Sequence, residues 1–67
     1  MLQIFLTKHA QLKMVALGIS VEDVRKAIIQ GSKTRQTDGL LASFRYYCVA
    51  YKIIGQETYK IKTVYLR

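Results

Sequence analysis

Apolar and polar positions alternate in two different rhythms along this chain. Leu2 to Leu6 is a short apolar run whose Ile4 and Phe5 favour a pleated, buried surface, and it predicts a first strand. From Lys8 to Leu17 the spacing changes. Ala10, Met14 and Leu17 fall at i, i+4 and i+7, one face of a helix. Thr7 stands where an N-cap hydroxyl is wanted, and Gly18 stands where a left-handed C′ residue is wanted. Ser20-Val21-Glu22-Asp23 has the form of a capping box, and its two carboxylates complement the positive end of a second helix over 21–30. Val21, Val24 and Ile28 would face inward, Arg25, Lys26 and Gln30 outward, and Gly31 would end it. So short a join between the helices makes a tight helical hairpin.

Strand rhythm returns in the second half. Ser32 to Thr37 is polar and reads as an edge strand or as an irregular basic loop, followed by a turn at Asp38-Gly39. Phe44 to Ile54 is the longest run of strand formers and predicts one central strand, beginning near Leu41. It presents Phe44, Tyr46, Cys48, Ala50 and Lys52 on one side and Arg45, Tyr47, Val49, Tyr51 and Ile53 on the other. The first set holds the small residues and is assigned to the side under the helices. After a turn at Gly55-Gln56, the last strand covers 57–66, with Tyr59, Ile61, Thr63 and Tyr65 on one face and Lys60, Lys62, Val64 and Leu66 on the other. The expected fold is a single α+β domain over 1–67 in the order β-α-α-β-β-β. A two-helix hairpin packs on one face of a three- to four-stranded antiparallel sheet, leaving a basic, tyrosine-bearing face opposite.

Charge changes this picture most. Eleven basic residues against four acidic ones give +7 on 67 residues. Such a surface attracts phosphate backbones, anionic membranes or an acidic protein. A chain this short is only marginally stable alone, which makes a partner or a homodimer an economical source of stability. One Cys and one His exclude an internal disulfide and a four-ligand zinc site, and no cofactor is expected. Cys48 in an apolar strand fits a reducing cytoplasm. The apolar run at 1–6 is too short for a signal h-region, and no stretch approaches a membrane span.

Three segments carry a resemblance. L-T-K-H-A-x-x-K-M-x-x-x-G-I-S-x-E-D-V at 6–24, A-I-x-x-G at 27–31 and I-K-T-V-Y at 61–65 resemble the small prokaryotic DUF4258 family of unassigned function, related to the BrnT and RelE/ParE-like toxins. The match covers nearly the whole chain and departs from the family pattern at Leu17, where a basic residue is common. The resemblance implies two helices on an antiparallel sheet. It also implies a toxin-type partnership with an acidic antitoxin, and RNA or the ribosome as target, since the superfamily includes RNA endonucleases, gyrase inhibitors and members without demonstrated activity. Tyrosine and arginine near the C-terminal end contribute to the site in RelE-type toxins, and Tyr65 and Arg67 are similar in kind and place.

Metal-free RNA cleavage needs a base for the 2′-hydroxyl, an acid for the leaving oxygen and a cation for the phosphate. His9, Arg45 and Tyr65 have those chemistries and are the catalytic candidates. The favoured reading of His9 is nonetheless a hydrogen bond to a neighbouring strand that orients the first helix, and Tyr65 reads equally well as a core tyrosine. Arg45 beside Tyr47 reads either as a phosphate clamp with a stacking surface or as a cation–π pair on a solvated face. Lys33, Arg35, Tyr47 and Arg67 are the nucleic-acid-binding candidates. Lys33 and Arg35 read otherwise as charges that protect a sheet edge. Glu22 and Asp23 serve the helix cap and Asp38 a turn, which leaves no carboxylate pair for a metal-dependent nuclease.

Overall fold

The computed structural model describes residues 2–67. Strand β1 (Gln3–Leu6) leads into α1 (Lys8–Leu17) and α2 (Val21–Gln30), and β2 (Ser32–Gln36), β3 (Gly39–Phe44), β4 (Tyr47–Gly55) and β5 (Thr58–Leu66) follow. The five strands form one sheet in the order β1-β5-β4-β3-β2.

Both helices begin and end for the reasons their sequences give. The Thr7 side chain accepts from the Ala10 amide at 3.1 Å. Gly18 closes α1 at φ 71, and its N–H and that of Ile19 turn back to the last helical carbonyls. Ser20 and Asp23 make both bonds of the capping box, at 3.1 and 2.9 Å. The bond from the Ser20 amide is the main reason that Asp23 titrates below its ordinary 3.8. The cap's electrostatic contribution is therefore present above that value and is lost as pH falls through the lowered one. Ala10 and Met14 are buried on α1, and Val24, Ala27 and Ile28 on α2. Val21, expected inward, is 41% exposed, because it sits in the first turn ahead of the buried stripe.

The expected central strand is two strands. A two-residue turn at Arg45-Tyr46 divides it, and Phe44 pairs with Tyr47 across the break. Nothing local asks for this turn. It has no Gly, Asn or Asp, and Arg45 takes φ 53, which costs an L-residue about 1–2 kcal/mol. Tertiary contacts hold it. The amide of Arg67 donates to Tyr46 O at 2.9 Å, and the Arg67 guanidinium donates to Arg45 O at 3.0 Å. The rings of Phe44 and Tyr47 meet edge to face at 6.1 Å.

This extra hairpin decides the sheet's parity. Three antiparallel pairings run from β2 to β5, so β5 runs opposite to β2. The β1 strand enters beside β5 and pairs with it in parallel, Gln3 with Thr58 through Leu6 with Ile61. One strand fewer in the meander would have left β1 beside an antiparallel neighbour, as expected from the sequence. The sheet is instead mixed and five-stranded. The segment left open between edge strand and loop is an edge strand, with all five residues exposed.

The face assignment of the tyrosine strand is inverted. Tyr47, Val49 and Tyr51 join the helical core, and Cys48 and Ala50 lie on the opposite side of β4. Size was the wrong guide, because large side chains fill the space beneath two helices and small ones suffice on a face with no second layer. On β5 the register skips Lys62, with Tyr51 opposite Ile61 and Ala50 opposite Thr63. That bulge lets Ile61 and Val64, three residues apart, both point into the core at 0% exposure.

Candidate nucleic-acid interface

Among the described residues, the sheet side away from the helices has no covering layer. Its floor is built from small residues, Ser43 beside Cys48 and Ala50 beside Thr63. Cys48 and Ala50 are nonetheless only 6% exposed, and the Cys48 thiol lies 3.5 Å from Ser43 Oγ. Cys48 is buried as expected, but on the side of the strand away from the helices rather than under them.

Cations collect at one end of this face. The β4–β5 register sets Lys52 directly opposite Lys60. Like charges so placed repel, and a folded chain gains nothing from them locally. Lys62, released by the bulge, lies beside them. One carboxylate answers two of them. Asp38, in the β2–β3 turn, stands 3.1 Å from Lys52 Nζ and 3.8 Å from Lys62 Nζ, and Lys62 also donates to the Asp38 carbonyl. The hydrogen bond from Lys52, helped by the charges of both lysines, holds the Asp38 carboxyl below its ordinary value. Lys60 has no carboxylate partner among the described residues. Three lysines and one aspartate leave a net charge of about +2 at this end of the face.

Apolar surface adjoins the lysines. Phe5 pairs in register with Lys60, and Ile54 is the residue that the β4–β5 register skips at its second irregularity. With Leu6, Thr7 and Lys60 they line a shallow recess of about 390 Å³. Lys52 was not singled out from the sequence. Its signal was legible there, since a hairpin turn near Gly55-Gln56 places residues 52 and 60 at equal distances from the bend.

The sequence-predicted site residues are distributed differently. His9 lies in the first turn of α1, exposed, with Nε2 3.0 Å from Thr63 Oγ1. It reaches that residue where β5 has outrun β1, whose pairing ends at Ile61. Tyr65 follows Thr63 by two residues, is 38% exposed, and pairs with Cys48, which places it on the open face. Arg45 does not join them. It is in the turn rather than on a strand face, and its guanidinium lies 5.3 Å from the centre of the Phe44 ring. Phe44 packs against the helix-side core, and the charge of Arg45 contributes to lowering the Asp23 pKa at the head of α2. The cation–π pair expected across strands on a solvated face is instead one between sequence neighbours at the turn.

Tyr47 is a correction. It cannot stack on a base, because it is 1% exposed and its hydroxyl donates to Asp23 O at 2.7 Å. Burial also pushes its phenol above the ordinary value. Arg67 is committed to the Arg45 carbonyl and clamps the turn. Lys33 and Arg35 both lie on the exposed edge strand, and Lys33 donates to Gly31 O at 2.7 Å. Arg35 lines a second shallow cleft with Leu40, Lys52 and Ile53. The basic residues are therefore not confined to one side. Lys8, Lys13, Arg25 and Lys26 lie on the helices.

Among the described residues no group of His, Cys, Asp and Glu is placed to hold a metal ion. Among the described residues no helix is long and apolar enough to cross a membrane. Compared with family models, with curated proteins and with solved structures, the chain matches none of them.

Proposed function

We infer the function from the site itself, because those comparisons bring no family to bear. We propose that the protein binds RNA, and that the open sheet face around Lys52, Lys60 and Lys62 is where the phosphates sit. The observation that carries this is the excess of positive charge where Lys52 opposes Lys60 beside Lys62, with Asp38 as their one carboxylate, on a face that no described element covers. A chain of +7 supplies the long-range attraction, and the resemblance of 6–31 to a toxin-related family agrees with an RNA target.

Binding should be strongly salt-dependent. Each lysine that neutralises a phosphate on a single strand contributes about 0.7 to the slope of log K against log salt. Lys60→Gln and Lys52→Gln should each weaken binding and flatten that slope by about this amount, measured by fluorescence anisotropy across a salt titration. Asp38→Asn should act the other way, tightening binding and steepening the slope, because it frees Lys52 and Lys62 from their carboxylate. Slopes unaltered in all three variants would remove the lysine group from the interface.

A second reading is metal-independent cleavage, and the position of His9 favours it. An exposed imidazole held against Thr63, two residues from Tyr65 on the same strand, is placed to exchange protons with a ribose phosphate lying along β5. Incubation of RNA with the purified protein in chelator should then yield 2′,3′-cyclic phosphate ends, lost in His9→Ala with binding retained. Intact RNA after prolonged incubation, with and without ribosomes, leaves a binding domain without catalysis. Arg45→Ala should leave either activity unchanged, since its guanidinium is spent on Phe44.

A further inference from the structure

We propose that the recess formed by Phe5, Leu6, Thr7, Ile54 and Lys60 is a seat for one unstacked nucleobase, and that it makes the open face selective for single strands over duplex. This rests on the RNA-binding reading above and specifies its substrate class. Phe5 is 58% exposed and Ile54 48% exposed, large apolar side chains on a face that no described element covers. They are not scattered. Both border one recess of about 390 Å³, whose only charged lining residue is Lys60. An aromatic ring beside an ammonium matches a nucleotide piece by piece, with the base on the ring and its phosphate on the lysine. The register reinforces the match. Phe5 is opposite Lys60, and Lys60 is opposite Lys52, so the ring and the two ammonium groups lie in one row across three strands.

Neither a second copy of this chain nor duplex RNA fits that row. Two copies meeting through this face would bring two such lysine groups together, which is repulsive. Paired and stacked bases offer no free ring face to Phe5, whereas a single strand does. The recess also lacks the means to read a base's edge. The Thr7 hydroxyl is spent on the Ile61 carbonyl and on the Ala10 amide, and Lys60 is a donor only. Selection is therefore for strandedness and not for sequence, and single-stranded DNA should bind comparably. Tyr65 lies five residues further along β5 on the same face, roughly 16 Å away at the usual strand rise, within reach of the same short strand.

The test is fluorescence anisotropy with a labelled twelve-nucleotide RNA, alone and annealed to its complement, at one fixed low salt concentration. The wild-type chain should prefer the single strand by about tenfold, the effect of one stacked base. Phe5→Leu keeps an apolar side chain and removes the ring. It should bring single-strand affinity to within about twofold of duplex affinity while leaving duplex binding unchanged. Phe5→Tyr, which keeps a ring, should retain the preference. Because Phe5 is exposed, thermal melts of all three proteins should coincide and exclude unfolding as the cause. Equal affinity of the wild type for both forms, or a Phe5→Leu variant that keeps the preference, overturns the base seat while the lysine reading stands. Phe5-dependent sedimentation with phosphatidylglycerol vesicles, without RNA binding, overturns it in favour of a lipid surface. Absence of RNA binding that also leaves Lys60→Gln indistinguishable from wild type overturns the underlying reading itself.

Discussion

Tyr47→Ala should leave most of the protein unfolded at room temperature. Tyr47 is buried to 1% and meets Phe44 and Tyr46 edge to face at 6.1 and 5.2 Å. Truncating a buried aromatic residue costs about 3–5 kcal/mol. At ~0.05–0.15 kcal/mol per residue, a chain of this length has only about 3–10 kcal/mol in total. The ring also joins three parts of the fold. It sits in the first position of β4, against the last residue of β3, and its hydroxyl reaches the main chain of α2. Tyr47→Phe separates these roles, and loss of one hydrogen bond should cost about 1 kcal/mol. Urea denaturation followed by far-ultraviolet circular dichroism measures both. A folded Tyr47→Ala protein with an unaltered midpoint and impaired RNA binding would return Tyr47 to the surface and undo the inverted face assignment.

Gly39→Ala should be nearly as damaging, for a reason that involves no loss of contact. Gly39 opens β3 at φ 120, a conformation that L-residues rarely adopt, and such strain costs about 1–3 kcal/mol. A Cβ built there would lie 2.4 Å from the carbonyl oxygen of Tyr51, a backbone atom of the central strand. That oxygen cannot withdraw without breaking the pairing of Leu40 with Tyr51. The two penalties together should exceed about 3 kcal/mol. Gly18→Ala is the matched control. Gly18 is also left-handed, at φ 71, but a Cβ there meets nothing within 4 Å. It should lose only the conformational term, about 1–2 kcal/mol. Thermal melts of the two variants side by side measure the difference. Equal losses would mean that the turn before β3 relaxes more freely than its register implies.

Both predictions concern the same structural point. The helices spend their apolar stripes on one sheet face, and the tyrosines Tyr47 and Tyr51 fill the space between. The uncovered face therefore owes its character to lysines, small residues and a few apolar side chains at one corner, not to a tyrosine array. A binding surface of that kind depends on charge and on one or two stacking positions, which is why the lysine and Phe5 variants are expected to alter affinity without altering stability.

Local chemistry determined the first half of the fold. The bounds of α1 and α2 follow from Thr7, Gly18, Ser20, Asp23 and Gly31, because capping satisfies backbone groups within a few residues of where the signal is written. The hairpin turns near Asp38-Gly39 and Gly55-Gln56 were legible for the same reason, to within a residue. The turn at Arg45-Tyr46 was not. Its residues favour continuing a strand, and what bends the chain there is Arg67, 21 residues after Tyr46, together with the ring of Tyr47 seated under α2. From that one bend follow the fifth strand, the parallel pairing of β1 and the placement of Arg45 away from Tyr65.

Face assignment was hidden likewise. Alternation along a strand shows which residues share a side, but not which side lies under the helices, and a bulge such as that at Lys62 resets the count without any local mark. Charge was written in the sequence as +7, and the lysines were visible one by one. That Lys52 and Lys62 converge on a single aspartate, with Lys60 opposite Lys52 and beside an exposed phenylalanine, was decided only by strand register, since convergence belongs to pairs of strands and not to any one segment.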